Sequence, residues 1–303
     1  MRIGLHDAEA QVVRDKTFPN YALMKLSAWH KQRGDHVEWW QPLGLYDAVY
    51  SSKVFSYTLE NPYLPPDAIR GGTGYDVKSR LPEAVDGMFP DYSLYPDTPY
   101  AIGYITRGCP NRCRWCVVPE KEGKLQPYRR WKELIRPDSR ELVLMDNNIL
   151  ASDFGLEQLC GLAGSGYRID LNQGMDARLV TPEVAELLAR LDWIRFLRFS
   201  CDEASRLDAV IRTCELLGKH GVRPYRIFIY LLVTKDIEDA SLRVERLKQL
   251  KGINLYAQAE RNDRLGIMPE QEQLRFVEYV YSGAFRRCEW PVWDETRRNK
   301  EKH

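Results

Sequence analysis

Apolar positions recur with helical period in some stretches of this chain and with strand character in others, and the order of those stretches predicts an α/β protein. Arg2–Leu5 is a short apolar start. Residues 21–33 place Tyr21, Met24, Leu26, Ala28 and Trp29 at helical spacing, and Gly34 supplies a C-terminal cap. Residues 36–40 and 46–51 read as two more strands, and Gly71-Gly72-Thr73-Gly74 reads as a turn. Strand, helix, strand, strand and glycine turn is the order of a small Rossmann-like module. The turn has no Lys-Ser/Thr after it, so it is not a P-loop. Two proline-rich stretches follow, 61–66 and 91–99, and the second makes a linker.

From residue 100 strands and helices alternate, which predicts a parallel sheet. The strands are expected at 100–106, 141–145, 167–171, 194–199, 226–233 and 254–257. Helices fill the gaps, among them 182–191, with Thr181 as N-cap and Pro182 at its first position, and 204–220. Right-handed crossovers bring the carboxyl ends of such strands to one edge, so polar residues at those ends are the candidates for chemistry.

Composition narrows the class. With 44% hydrophobic and 29% charged residues, the 303-residue chain has the profile of a globular protein with a real core. No run approaches the roughly 20 apolar residues of a membrane span. No secretory segment is in view, and seven cysteines then point to a reducing cytoplasm. Net charge is +1, which argues against a protein that coats nucleic acid. The charge is uneven, however. Residues 1–99 carry 10 Lys+Arg against 13 Asp+Glu, and residues 107–140 carry 10 against 4. A basic rim there would favour an anionic substrate or an acidic partner face; a solvated helix face is the plain alternative.

Three cysteines supply the most specific signal. Cys109, Cys113 and Cys116 are spaced C-x3-C-x2-C, while Cys160, Cys201, Cys214 and Cys288 are scattered singly. A structural zinc site normally has four ligands in two pairs. A ferredoxin-type carrier needs a fourth cysteine in register. Neither pattern is complete here, although zinc and plain electron transfer stay open as alternatives. Three thiolates on one tight loop can hold three irons of a [4Fe-4S] cluster and leave the fourth iron to an outside ligand. Pro110 and Asn111 favour a turn directly after the first cysteine.

The run Gly108-Cys109-Pro110-Asn111-Arg112-Cys113-Arg114-Trp115-Cys116 resembles the signature of the radical S-adenosylmethionine (radical SAM) enzymes. The resemblance implies a partial (β/α)6 barrel, here over residues 99–285, preceded by the Rossmann-like module of residues 1–98. It implies an oxygen-sensitive [4Fe-4S] cluster on Cys109, Cys113 and Cys116, SAM on the open iron, and an electron donor such as flavodoxin or ferredoxin. Residues 1–98 are similar to a shortened cobalamin-binding module but lack the D-x-H-x-x-G motif, so cobalamin is not expected.

The resemblance also orders the candidate residues. Trp115 occupies the place of an aromatic near the adenine of SAM. Where many members carry Gly-Gly-Glu for the SAM amino group, this chain has Asp146-Asn147-Asn148, which makes Asp146 and Asn147 the candidates. Gln173, Asp176 and Arg178 follow the third strand, and Arg178 could clamp the SAM carboxylate bidentately. Ser200 and Asp202 could hold the ribose hydroxyls. Cys201 is a candidate hydrogen donor to a product radical, and Tyr230 a candidate for proton transfer. The tail, residues 286–303, continues a stretch rich in aromatics and arginines and is expected to close the open side of the barrel; base stacking is the alternative.

The expected reaction begins with hydrogen abstraction by a 5′-deoxyadenosyl radical. Rearrangement (isomerisation) or C–H modification of a substrate follows, the substrate being an anionic small molecule or a nucleic-acid base. The competing expectations are a cobalamin-dependent methyltransferase and a non-catalytic iron–sulfur or redox-sensing protein.

Overall fold

The structure is a computed structural model that describes residues 1–11 and 18–301. Contacts divide the chain into two units, Met1–Ile102 with Val117–Gly123, and Gly103–Cys116 with Lys124–His303. The expected boundary at 98–99 thus moves to 102–103, and a short stretch after the third cysteine joins the first unit. Among the described residues no helix is long and apolar enough to cross a membrane.

The first unit is a four-stranded sheet of β1 (Arg2–Asp7), β2 (His36–Trp39), β3 (Ala48–Ser52) and β4 (Ile69–Gly71), in the order β2-β1-β3-β4 and parallel throughout. Between β1 and β2 runs α1 (Tyr21–Gln32), whose first turn is capped by Asn20 accepting from the Leu23 amide at 3.3 Å. Gly34 ends that helix region at φ 82°. Ile3, Leu5, Leu23, Leu26, Val85 and Leu94 form the core beneath it. Where only a glycine turn was expected, the chain first forms β4. Gly72 then turns at φ 94°, with Lys53 so close that a Cβ would collide with its carbonyl.

The strand β5 (Ala101–Gly103) spans the boundary, and its Gly103 carbonyl, in the second unit, accepts from the Met145 amide at 2.9 Å. A small antiparallel pair, β6 (Thr106–Arg107) and β7 (Gln126–Pro127), frames the cysteine loop. Then come β8 (Glu141–Leu144), α2 (Asp153–Leu162), β9 (Arg168–Leu171), α3 (Pro182–Arg190), β10 (Asp192–Trp193), β11 (Leu197–Ser200), α4 (Leu207–Lys219), β12 (Ile227–Val233), α5 (Ile237–Leu247), β13 (Asn254–Ala259), α6 (Gln271–Tyr281) and α7 (Trp290–Glu301). Thr181 caps α3 as expected, accepting from the Val184 amide at 3.3 Å.

The strands form two sheets, β10-β9-β8-β5 and β11-β12-β13, with parallel pairing from β8 to β10 and from β11 to β13. A single parallel bridge, Met175 to Phe199, joins them, with Met175 N donating to Arg198 O at 2.8 Å. The strand expected at 194–199 starts later, at Leu197, as β11 paired to β12; just before the expected start, β10 pairs with β9. Burial alternates strictly along β12: Ile227, Ile229, Leu231 and Val233 are buried, and Phe228, Tyr230 and Leu232 are half-buried on the other face. On that second face Phe228, Tyr230, Tyr256 and Tyr281 make a chain of ring contacts at 5.1–5.6 Å. The tail is mostly helix, and that helix packs on α6: Trp290 and Trp293 meet Tyr279 with their rings at an angle, and Arg275 pairs with Asp294 at 2.6 Å. The last two residues of the expected tail lie outside the described residues.

Candidate functional site

Two carboxylates from neighbouring strand ends fix the cysteine loop. Asp146, just past β8 and 5% exposed, accepts from the amides of Ile105 and Thr106 at 3.1 and 2.5 Å and from the Thr106 hydroxyl at 2.7 Å. Burial pushes its carboxyl up to about 6 against the pull of those donors and of Arg107. Asp176, beyond β9, takes Arg178 in a fork at 2.6 and 2.9 Å and receives the Asn111 amide at 3.0 Å. Burial alone would raise Asp176, but these donors overcome it and hold the carboxyl at about 2. Arg178 also donates to the Asn111 carbonyl oxygen at 3.2 Å. The loop is thereby tied to β8 at its start and to the β9 end at its middle.

Within the loop, Gly108 turns at φ 84° immediately before Cys109, a conformation suited to glycine. The Cys116 amide closes a tight turn onto the Cys113 carbonyl at 3.0 Å. Cys109 and Cys113 are half-buried, Cys116 is exposed, and no disulfide joins them.

Donors reach the sulfurs of Cys109 and Cys113. Asn148 Nδ2 lies 3.7 Å from Cys109 Sγ, and Arg206 Nη2 lies 3.2 Å from Cys113 Sγ. Each of these side chains also keeps one buried polar atom with no partner, Asn148 Oδ1 and Arg206 Nε. Such orphans are costly unless something fills them. Asn148 is only 4% exposed. Sulfurs on one loop, N–H donors aimed at them and buried groups still lacking partners make a donor set that fits a thiolate-held iron–sulfur cluster with room for a further polar ligand. Among the described residues no three His, Cys, Asp or Glu side chains converge as they would around a single ion. The thiolates of a cubane sit on separate irons and need no such convergence.

The sequence candidates fall into distinct groups. Asp146, Asp176 and Arg178 are already bonded within the loop framework, so the fork of Arg178 holds Asp176 rather than standing open for a cofactor carboxylate. Trp115 is half-buried with Arg114 5.6 Å over its ring, and Asn147 is half-buried beside Asn148. Ser200 and Tyr230 come together around Gly174, where an added Cβ would lie 3.1 Å from Ser200 Cβ and 3.2 Å from Tyr230 Cδ2. Gln173, exposed, is the next residue, and Tyr230 OH donates to the Asn172 carbonyl at 3.4 Å. Burial raises the Tyr230 phenol, opposed by Arg198, which pairs with Asp170 on the same face. Cys201 is placed differently. It is 0% exposed on the opposite, buried side of β11 from Ser200, and burial pushes its thiol up to about 12. That thiol is not brought to the face that holds Tyr230.

Asp202 lines a hollow of about 320 Å³ at the ends of β11 and β12, together with Glu203, Asp236, Asp239 and Arg114. Burial raises the Asp202 carboxyl. The expected basic rim is therefore mixed in charge: Arg114 of the cysteine loop meets four carboxylates here. Other cations of the basic stretch lie along aromatic faces, Arg107 over Tyr104 at 4.1 Å and Arg129 over Tyr128 at 5.3 Å. A second hollow, about 390 Å³ and lined by Phe228, Tyr256, Tyr281 and Arg286, opens at the starts of β12 and β13, away from the strand ends that carry the loop.

Asn148 and Arg206 are the residues that sequence reasoning passed over. Strand alternation carried one step further would have paired Asn148 with Asp146 and set Asn147 apart. Arg206 is 93 residues from its cysteine and carries no spacing signal. No model of a known protein family matches this chain, and no curated protein is significantly similar to it.

Proposed function

We propose that this chain is a radical SAM enzyme whose Cys109, Cys113 and Cys116 hold a [4Fe-4S] cluster, and that its second unit is a partial (β/α)6 barrel made of the two sheets together. The carrying observation is the loop itself: three thiols on nine residues, with polar donors 3.7 and 3.2 Å from two of the sulfurs. When bound, such a cluster supplies an electron to SAM and so gives a 5′-deoxyadenosyl radical that abstracts hydrogen. The chain's own residues do the rest. Asp146 and Asp176 keep the loop in one conformation. Asn148, with Oδ1 buried and lacking a partner, would accept from an N–H of the cofactor's amino group. Trp115 offers a ring face for adenine. Gln173, Ser200 and Tyr230 gather at the ends of β9, β11 and β12, where a substrate would be oriented for rearrangement or C–H modification.

Anaerobic reconstitution tests this. Wild-type protein is expected to take up iron and sulfide in equal amounts, to show the electron paramagnetic resonance (EPR) signal of a reduced cubane, and to release 5′-deoxyadenosine from SAM with dithionite. Cys113→Ala should abolish all three. Zinc bound in place of iron, or a cluster that never cleaves SAM, would count against the proposal.

A further inference from the structure

We propose that Arg206 sets the reduction potential of the cluster site, acting as a positioning residue whose guanidinium charge and N–H rest on the Cys113 sulfur; this builds on the cluster proposal above. Two guanidinium groups from outside the cysteine loop bond to its side chains, and they differ in their ion pairing. Arg178 is neutralised by Asp176, with two contacts at 2.6 and 2.9 Å. Arg206 forms no ion pair among the described residues, yet its Nη2 lies 3.2 Å from Cys113 Sγ. Its Nε is buried without a partner, and the nearby Asp202 carboxyl acts on it through charge without forming an ion pair. The hydrogen bond to the Cys109 sulfur comes from the neutral amide of Asn148, at 3.7 Å.

The placement is built rather than incidental. Arg206 ends the turn Ala204–Arg206 that leads into α4, with its amide on the Glu203 carbonyl at 3.0 Å. Asp239 fixes that turn by accepting from the Ala204 amide at 2.8 Å. Asp239 is in turn held by Arg243 Nε at 2.7 Å. Arg243 is fully buried and also bonds the Cys201 and Leu232 carbonyls at 2.6 and 2.9 Å. A chain of charge-assisted bonds therefore runs from the ends of β11 and β12 to the turn that carries Arg206.

Adding an electron makes a thiolate-ligated cluster more negative. A cation and an N–H on one of its sulfurs stabilise that reduced state and raise the potential. Removing Arg206 should make the cluster harder to reduce without changing how it is ligated.

The experiment is an EPR-monitored redox titration of reconstituted full-length protein: wild type, Arg206→Gln, Arg206→Lys and the exposed α4 control Arg212→Gln. Arg206→Gln is expected to keep its iron and sulfide but to lose on the order of tenfold in the reduction equilibrium, about 59 mV for a one-electron couple. Arg206→Lys, which keeps the charge, should recover much of the shift, and Arg212→Gln should show none. Equal potentials in wild type and Arg206→Gln, both holding the cluster, would overturn this inference and leave the cluster proposal standing. Loss of the cluster in Arg206→Gln would overturn it too, by making Arg206 a structural prop. Wild-type protein that takes up no iron and sulfide would overturn both.

Discussion

Asp146 and Asp176 hold the same loop from two sides, and their surroundings move them in opposite directions. Asp176 receives an arginine fork and an amide and stays ionised to about pH 2. Asp146 has only backbone and hydroxyl donors in contact and is fully buried, so desolvation lifts it from 3.8 to about 6. A carboxyl raised on folding binds a proton more tightly in the folded chain. Its stabilising contribution is thus complete below about pH 4 and lost as pH rises through 6. Wild type is expected to lose on the order of 2 kcal/mol through this group between pH 4 and pH 7. Asp146→Asn, with no proton to bind, should lack that loss in urea unfolding measured across the range, and a slope shared by both proteins would refute the assignment. Asp146 was legible in the sequence as a polar strand end, but its role was not. That role depends on amides at Ile105 and Thr106, 41 and 40 residues away, which only the fold brings within reach.

At the scale of elements, the alternation of apolar stretches was enough to anticipate parallel sheets, because period and order are local properties of the chain. Partner choice is not local. Residues 194–199 read as one strand, yet the strand β11 starts at Leu197 and pairs with β12, while β10, just before the expected start, pairs with β9, and the sheet parts between them. The tail shows the same limit. Its aromatics signalled burial correctly, but the surface they cover is the helix α6. Trp290, 6% exposed, packs against Phe276 at 4.8 Å and Tyr279 at 5.5 Å. Trp290→Ala should therefore cost about 3–5 kcal/mol, whereas Val292→Ala, at a position 60% exposed on the same helix, should change stability by less than about 0.5 kcal/mol. Equal losses for the two in chemical denaturation would mean that α7 is not held by this aromatic cluster.

For the molecule as a whole, the chain divides into two contact units, and the donors to the Cys109 and Cys113 sulfurs, Asn148 and Arg206, belong to the second. Leu23, 0% exposed, belongs to the core of the first unit, beneath α1. Leu23→Ala removes side-chain volume where the surroundings cannot fully close, and about 2–5 kcal/mol of that unit's stability should go with it. Units of this size with their own cores commonly unfold as separate transitions. Calorimetry should then show one transition lowered and the other nearly fixed. Iron retained after reconstitution should match wild type, because the carboxylates and donors that shape the cysteine loop are untouched. Two transitions falling together, with iron lost in step, would mean that the loop depends on the first unit's core, and the site would then have to be understood as a property of the entire chain.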